Sequence, residues 1–244
     1  MDYLRQRFPK IVAHRGFCKA HTENTIPALV AAVAEKAEMI EMDVHETRDG
    51  RLVVHHDNTL GRDVPPFREL TYNQIQNLTE GDDRCPLLSD CLKAIGSIPV
   101  DLEIKTCINV TRLSRELIKS NPSSGSFVSS FDYSLVKRLH KEKIRLPILL
   151  LITLSIRQRL KHNIRNAVLC IVPQLLPKFL DGVALDHRIA RKAIIKAHKR
   201  YGTKIYVWTV NTQKDMKKFV SSGVDGIITD RPDRLRKLLY PEFS

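Results

Sequence analysis

The chain has 244 residues, 43% hydrophobic and 27% charged, which excludes a disordered or fibrous polymer and allows one large domain with a sizeable core. A net charge of +13 favours anionic partners, but the basic residues form no arm or tail and aromatics are only 6%, so nucleic acid is not the expected partner. Five cysteines without a CxxC pair fit reduced thiols, residues 1–7 carry no apolar leader, and the apolar run from Leu146 to Leu154 is far short of the roughly 20 residues of a membrane span; the expectation is a soluble, cytoplasmic protein.

In chain order, Ile11-Val12-Ala13 is a short apolar run ending in polar residues, which predicts a buried strand over 11–14. Ile26, Leu29, Val30 and Val33 recur at helical spacing behind Thr25, a predicted N-cap for a helix over 25–37. A second strand follows over 39–44, so the opening unit is βαβ with parallel strands. Thr47-Arg48-Asp49-Gly50 then signals a tight turn, and Leu52-Val53-Val54 starts too soon for a crossover helix. Residues 45–55 therefore read as a hairpin that folds back over the strand ends. Residues 58–90, broken by Pro65-Pro66, read as an insertion with one short helix over 71–78, and helical spacing resumes over 88–95.

The βα alternation returns with strands over 100–105, 127–131, 147–152, 182–186, 205–210 and 226–229. Helices are expected over 110–120, 133–143, 156–164, 190–201, 213–221 and 232–239; the run 169–172 is ambiguous between strand and loop. Eight strands separated by helices predict an α/β fold, a closed (β/α)8 TIM barrel with an open sheet as the alternative, built as one domain over 1–244, with 58–90 as a small insertion.

In such a barrel the C-terminal strand ends share one face. They deliver His14 and Arg15, Glu41 and Asp43, Glu103 and Lys105, Ser130 and Asp132, Asp186, Trp208 and Asn211, and Asp230, while the hairpin returns His56 and Asp57. Glu41 and Asp43 are two apart and share one side of their strand, as do Glu103 and Lys105. Glu41, Asp43 and Glu103 around one axis would repel unless a cation neutralised them, and an oxygen-only set suits Mg²⁺ or Ca²⁺. Arg15 and Lys105 beside that cation make a phosphate-binding arrangement, and His14 and His56 supply an acid and a base near neutral pH. His55 and His56 point to opposite sides, and His56 is the one assigned to the site because Asp57 can orient it. Each residue alone is weak evidence: a strand-end histidine is more often structural, and Glu103 with Lys105 could be a plain ion pair.

The ordered set His14-Arg15-Gly16, Glu23-Asn24-Thr25, Glu41-Met42-Asp43-Val44, Thr47-Arg48-Asp49-Gly50 and Val54-His55-His56-Asp57 resembles the signature of glycerophosphodiester phosphodiesterases. Asp101-Leu102-Glu103-Ile104-Lys105, Ser130-Phe131, Trp208-Thr209-Val210-Asn211 and Thr229-Asp230 continue it to about residue 240. The resemblance implies a TIM barrel hydrolysing glycerophosphodiesters to sn-glycerol 3-phosphate and an alcohol. It implies Glu41, Asp43 and Glu103 as ligands of a divalent metal, His14 and His56 as the catalytic pair, and Arg15 and Lys105 as phosphate contacts. Trp208 is added as a substrate-binding residue, with Asn24 and Asp57 in support. The text Gly61-Arg62-Asp63-Val64-Pro65-Pro66 is shorter and stiffer than the family's usual loop there, which bears on the leaving alcohol. A lysophospholipase-D-like activity on lipids is the alternative, with weak membrane-surface contact through Arg157, Arg159, Lys161 and Arg165; a non-catalytic phosphodiester-binding barrel is a third reading. Oligomeric state is left open.

Overall fold

The computed structural model describes residues 8–79, 81, 85–153 and 165–243. The strands are β1 Lys10–His14, β2 Met39–Glu46, β3 Leu52–Val54, β4 Val100–Ile104, β5 Phe127–Ser130, β6 Ile148–Ile152, β7 Gly182–Asp186, β8 Lys204–Trp208 and β9 Gly226–Thr229. Eight of them pair in parallel in the order β1-β9-β8-β7-β6-β5-β4-β2, and β2 pairs back onto β1, so the sheet closes into a (β/α)8 barrel. β3 stands outside the ring, antiparallel to β2, as the returning arm of the expected hairpin.

Alternation along each strand makes two cores. On β6, Ile148, Leu150 and Ile152 join the layer shared with the helices. Leu149 and Leu151 point the other way, into a barrel interior completed by Val12, Met39, Phe127, Ala184, Tyr206 and Ile228. The outer helices are α1 Ile26–Ala34, α3 Leu88–Ile95, α4 Val110–Ser120, α5 Tyr133–Lys141, α6 Lys192–Arg200, α7 Gln213–Ser222 and α8 Pro232–Leu239. Asp132 and Thr212, sequence neighbours of strand ends, cap α5 and α7 by accepting backbone N–H bonds. Thr25 occupies the N-cap position of α1, but its hydroxyl donates to the Thr22 carbonyl instead of capping.

The insertion has its own small core. Phe67, Leu70, Ile75 and Cys85 pack on Val53 of the hairpin, and a Thr71–Gln74 capping box starts α2 Tyr72–Gln76. At the hairpin base, Glu46 is fully buried and accepts from the Arg112 side chain and the Asn109 backbone, which ties the arm to α4. The ambiguous run at 169–172 resolves as helix up to residue 171, within a helix over 165–171, with Leu169 and Cys170 buried and Ile171 exposed. Four consecutive apolar residues carry no period, so burial on one side decided the conformation. The expected basic helix over 156–164 lies outside the described residues.

Candidate active site

The loop after β1 turns on two left-handed residues, Arg15 at φ 55° and Gly16 at φ 93°. A Cβ on Gly16 would lie 2.6 Å from the Ala28 carbonyl carbon, so only glycine lets this turn rest against α1. The Arg15 N–H donates to the Glu41 side chain at 3.0 Å, and the Asn24 N–H donates to the Arg15 carbonyl at 3.0 Å. Asn24, itself left-handed at φ 59°, donates through Nδ2 to Asp43 Oδ2 at 2.8 Å and accepts the Asp43 N–H. The motifs around residues 15, 24 and 43 are therefore one stapled unit.

Register brings the carboxylates together. His14 lies level with Glu41 across β1–β2, and Asp43 with Glu103 across β2–β4. Side-chain oxygens of Glu41, Asp43 and Glu103 lie within 4.8 Å of one another. Lys105 Nζ sits 2.9 Å from Glu103 and 3.2 Å from Asp43, and Arg15 Nε lies 3.0 Å from the other Asp43 oxygen. Burial, with Asp43 and Glu103 nearby, pushes the Glu41 carboxyl well above its ordinary range. Burial also raises Glu103, against the pull of Lys105. For Asp43 burial works in the same direction, but Lys105, Arg15 and the Asn24 bond outweigh it and hold the carboxyl below its ordinary value. Arg15 and Lys105 rise in return, since the carboxylates outweigh the cost of burying a cation.

Glu41 Oε1 is a buried acceptor without a hydrogen bond from any described residue, and Asp43 Oδ1 has only the Lys105 ammonium beside it. An unpartnered carboxylate oxygen in an all-oxygen cluster fits a hard divalent cation.

The two histidines stand on either side of this cluster. His14 Nδ1 is 2.6 Å from Asp230 Oδ1, and Nε2 faces Glu41 at 3.9 Å. Asp230 is itself held by the Asn211 side chain, whose oxygen accepts the Asp230 N–H at 2.9 Å and the Thr229 hydroxyl at 3.1 Å. The His14 bond and its charge lower the Asp230 carboxyl against the effect of burial. His56 leaves the hairpin arm with Nδ1 2.9 Å from Asp57, and its side chain is 38% exposed. Burial, then Arg15, lowers its pKa from the ordinary 6.5. Beneath it, His45 is buried, faces the His56 carbonyl, and is pushed down to about 4 by burial, so it is neutral.

A cavity of about 120 Å³ joins these groups: His14, Arg15, Glu41, His56, Glu103 and Lys105 on one side, Phe131, Leu151 and Trp208 on the other. Trp208 is fixed by its Nε1–H bond to the Ala184 carbonyl at 3.0 Å and by edge contact with Phe131. His55 does not reach the cavity; it packs on Phe67, as alternation requires. Asp132 and Asp186 at other strand ends are taken up by the α5 cap and by Thr153 and Arg188.

Two residues escaped assignment from the sequence. Asp230 was visible as a strand-end acid, but its partner is 216 residues away. Asp101, wholly buried on the cavity wall with Ser129 donating at 2.6 Å, is raised to about 8 by burial. Its position two before Glu103 already placed it on the same side of β4.

The glycerophosphoryl diester phosphodiesterase family model matches residues 14–234. A glycerophosphodiester phosphodiesterase of Caldanaerobacter subterraneus subsp. tengcongensis is 30% identical, with 94% of this chain and 97% of that protein covered. Lysophospholipase D GDPD1 of Homo sapiens is 27% identical over 97% of this chain and 88% of its own length. Among solved structures, an Oleispira antarctica phosphodiesterase in complex with the product sn-glycerol-3-phosphate superposes with a TM-score of 0.74 at 18% identity, covering 95% of this chain and 97% of that one. That likeness concerns the fold.

Proposed function

The chain belongs to the glycerophosphoryl diester phosphodiesterase family, a class of phosphoric diester hydrolases, and on that premise we propose that it cleaves glycerophosphodiesters to sn-glycerol 3-phosphate and an alcohol at this cavity. The observation that carries the reading is the convergence of two histidines, three carboxylates, Arg15 and Lys105 on one space.

Glu41, Asp43 and Glu103 would hold a divalent cation, Mg²⁺ or Ca²⁺. When bound, it supplies positive charge against the non-bridging phosphate oxygens. Arg15 and Lys105 bind the same oxygens and favour the added negative charge of the transition state. Asn24 keeps Asp43 in place. Asp230 fixes the Nδ1–H tautomer of His14 and leaves Nε2 free to take a proton from the attacking hydroxyl. His56, at the open side, gives a proton to the departing alkoxide, and the burial and nearby cations that lower its pKa make its protonated form the stronger donor. The P–O bond to the alcohol breaks as the bond to the attacking oxygen forms. Trp208 and Leu151 give the glycerol carbons an apolar wall.

The relationship to a lysophospholipase D supports a second reading, in which the glycerol also carries an acyl chain directed out of the small cavity. The test is a panel of glycerophosphodiesters and lysophospholipids supplied with Mg²⁺ or Ca²⁺. Stoichiometric sn-glycerol 3-phosphate and alcohol from the deacylated panel is the expected result. Turnover confined to lysophospholipids would favour the second reading, and no turnover of either class would refute both.

A further inference from the structure

At the face opposite the carboxylates lies a basin of about 950 Å³, against about 120 Å³ for the catalytic cavity. Its inner wall is Phe127, Leu149 and Tyr206, the lower layer of the barrel interior, with the Phe127 and Tyr206 rings 4.9 Å apart. Phe8 and Tyr240, in edge contact at 5.7 Å, add aromatic surface at the rim. Gly226 belongs to this geometry: a Cβ there would lie 2.4 Å from the Tyr206 ring.

Lys10, Lys199 and Lys204 also line the basin. The lysine ion pairs among the described residues are those of Lys93 and Lys105, so these three have no carboxylate partner there. The basin's two acids are engaged by backbone: Glu38 accepts the Ile11 N–H and Asp225 the Ile205 N–H, both at 2.9 Å. Lys199 also donates to the Gly223 carbonyl, and three ammonium groups against two carboxylates leave the basin net positive. Volume in the small-molecule range, an aromatic wall and this positive balance together specify a ligand class.

We propose that this basin is a second binding site, for an amphiphilic anion with an aryl or alkyl body against Tyr206, Phe127 and Phe8 and one anionic head group at Lys10 and Lys204. It is separate from the phosphodiester site and does not depend on the reaction assigned there. The two sites are one side-chain layer apart. Leu149 faces the basin and Leu151 the catalytic cavity, two residues along β6; Tyr206 and Trp208 stand in the same relation on β8. Trp208 is the only tryptophan of the chain and so reports on the basin from above.

The test is a titration of the full-length protein with anilinonaphthalene sulfonate, an aryl sulfonate, followed by probe emission on direct excitation and by energy transfer from Trp208. Saturable binding of one probe per chain is expected, displaced by dodecanoate but not by excess sn-glycerol 3-phosphate or inorganic phosphate. Lys10→Gln with Lys204→Gln should weaken it about tenfold with little movement of the melting curve, since Lys204 is exposed, Lys10 is half-buried and neither forms an ion pair with a described residue. Phe8→Ala should weaken it about threefold, for loss of part of the apolar wall. Absence of saturable binding, displacement by sn-glycerol 3-phosphate, or wild-type affinity in the double lysine variant would each overturn the proposal.

Discussion

The two histidines occupy contrasting regions. His14 ends a barrel strand, and its carboxylate partner Asp230 is locked in turn by Asn211. His56 sits on a hairpin arm outside the ring, and its partner Asp57 is 73% exposed. One pair is built into the sheet; the other stands in water, where a carboxylate–imidazole contact contributes little. The contrast predicts a larger positional role for Asp230 than for Asp57, although Asp57 also meets its histidine at 2.9 Å. It also suits the proposed division of labour, with a fixed acceptor inside and an accessible donor where the alcohol leaves.

Substitution of the histidines themselves removes both sides of the contrast and gives the largest effect. His14→Ala and His56→Ala are each expected to lower turnover by about 10²–10⁴ with little change in melting temperature. Near-normal turnover in either variant would strike that histidine from the mechanism.

The contrast is sharpened by the supporting acids. Asp230→Asn should cost about 10–100-fold in kcat, mostly independent of KM, because it loosens the orientation of His14. Asp57→Asn should cost less than about threefold, as expected of an exposed pair. Equal losses in the two variants would erase the distinction drawn between the barrel and hairpin histidines.

A smaller effect follows from the buried acids on the His14 side. A carboxyl whose folded pKa is raised holds its proton more tightly in the folded chain, so stability falls as pH rises from the ordinary value through the raised one. For Asp101 this window runs from 3.8 to about 8, and Glu41 and Glu103 are raised in the same sense. A cation must displace protons at the low end of the window and meets ionised carboxylates at the high end. Saturating Mg²⁺ or Ca²⁺ should therefore raise the melting temperature more at about pH 8 than at about pH 5. An equal rise at both would place the cation elsewhere.

Much of this was legible before any coordinates. Alternation put Glu41 with Asp43 and Glu103 with Lys105, and the early turn at Asp49-Gly50 exposed the hairpin that returns His56. Barrel closure was not readable, because it is a pairing of β1 with β9 across the length of the chain. The His14–Asp230 bond hides for the same reason: it exists only once the barrel closes. Asn24 was readable as a motif residue, but its hold on Asp43 depends on a left-handed turn that no spacing rule specifies. The helix over 165–171 was missed because four apolar residues in a row fit either period.

The central claim is that the three-carboxylate cluster holds a divalent cation the reaction requires. Its most direct test is turnover of a glycerophosphodiester by protein stripped with EDTA and then dialysed, before and after addition of Mg²⁺ or Ca²⁺. The account predicts loss of activity on stripping and recovery on addition, with recovery abolished in Glu41→Gln and Glu103→Gln. Full activity of the stripped protein would contradict it.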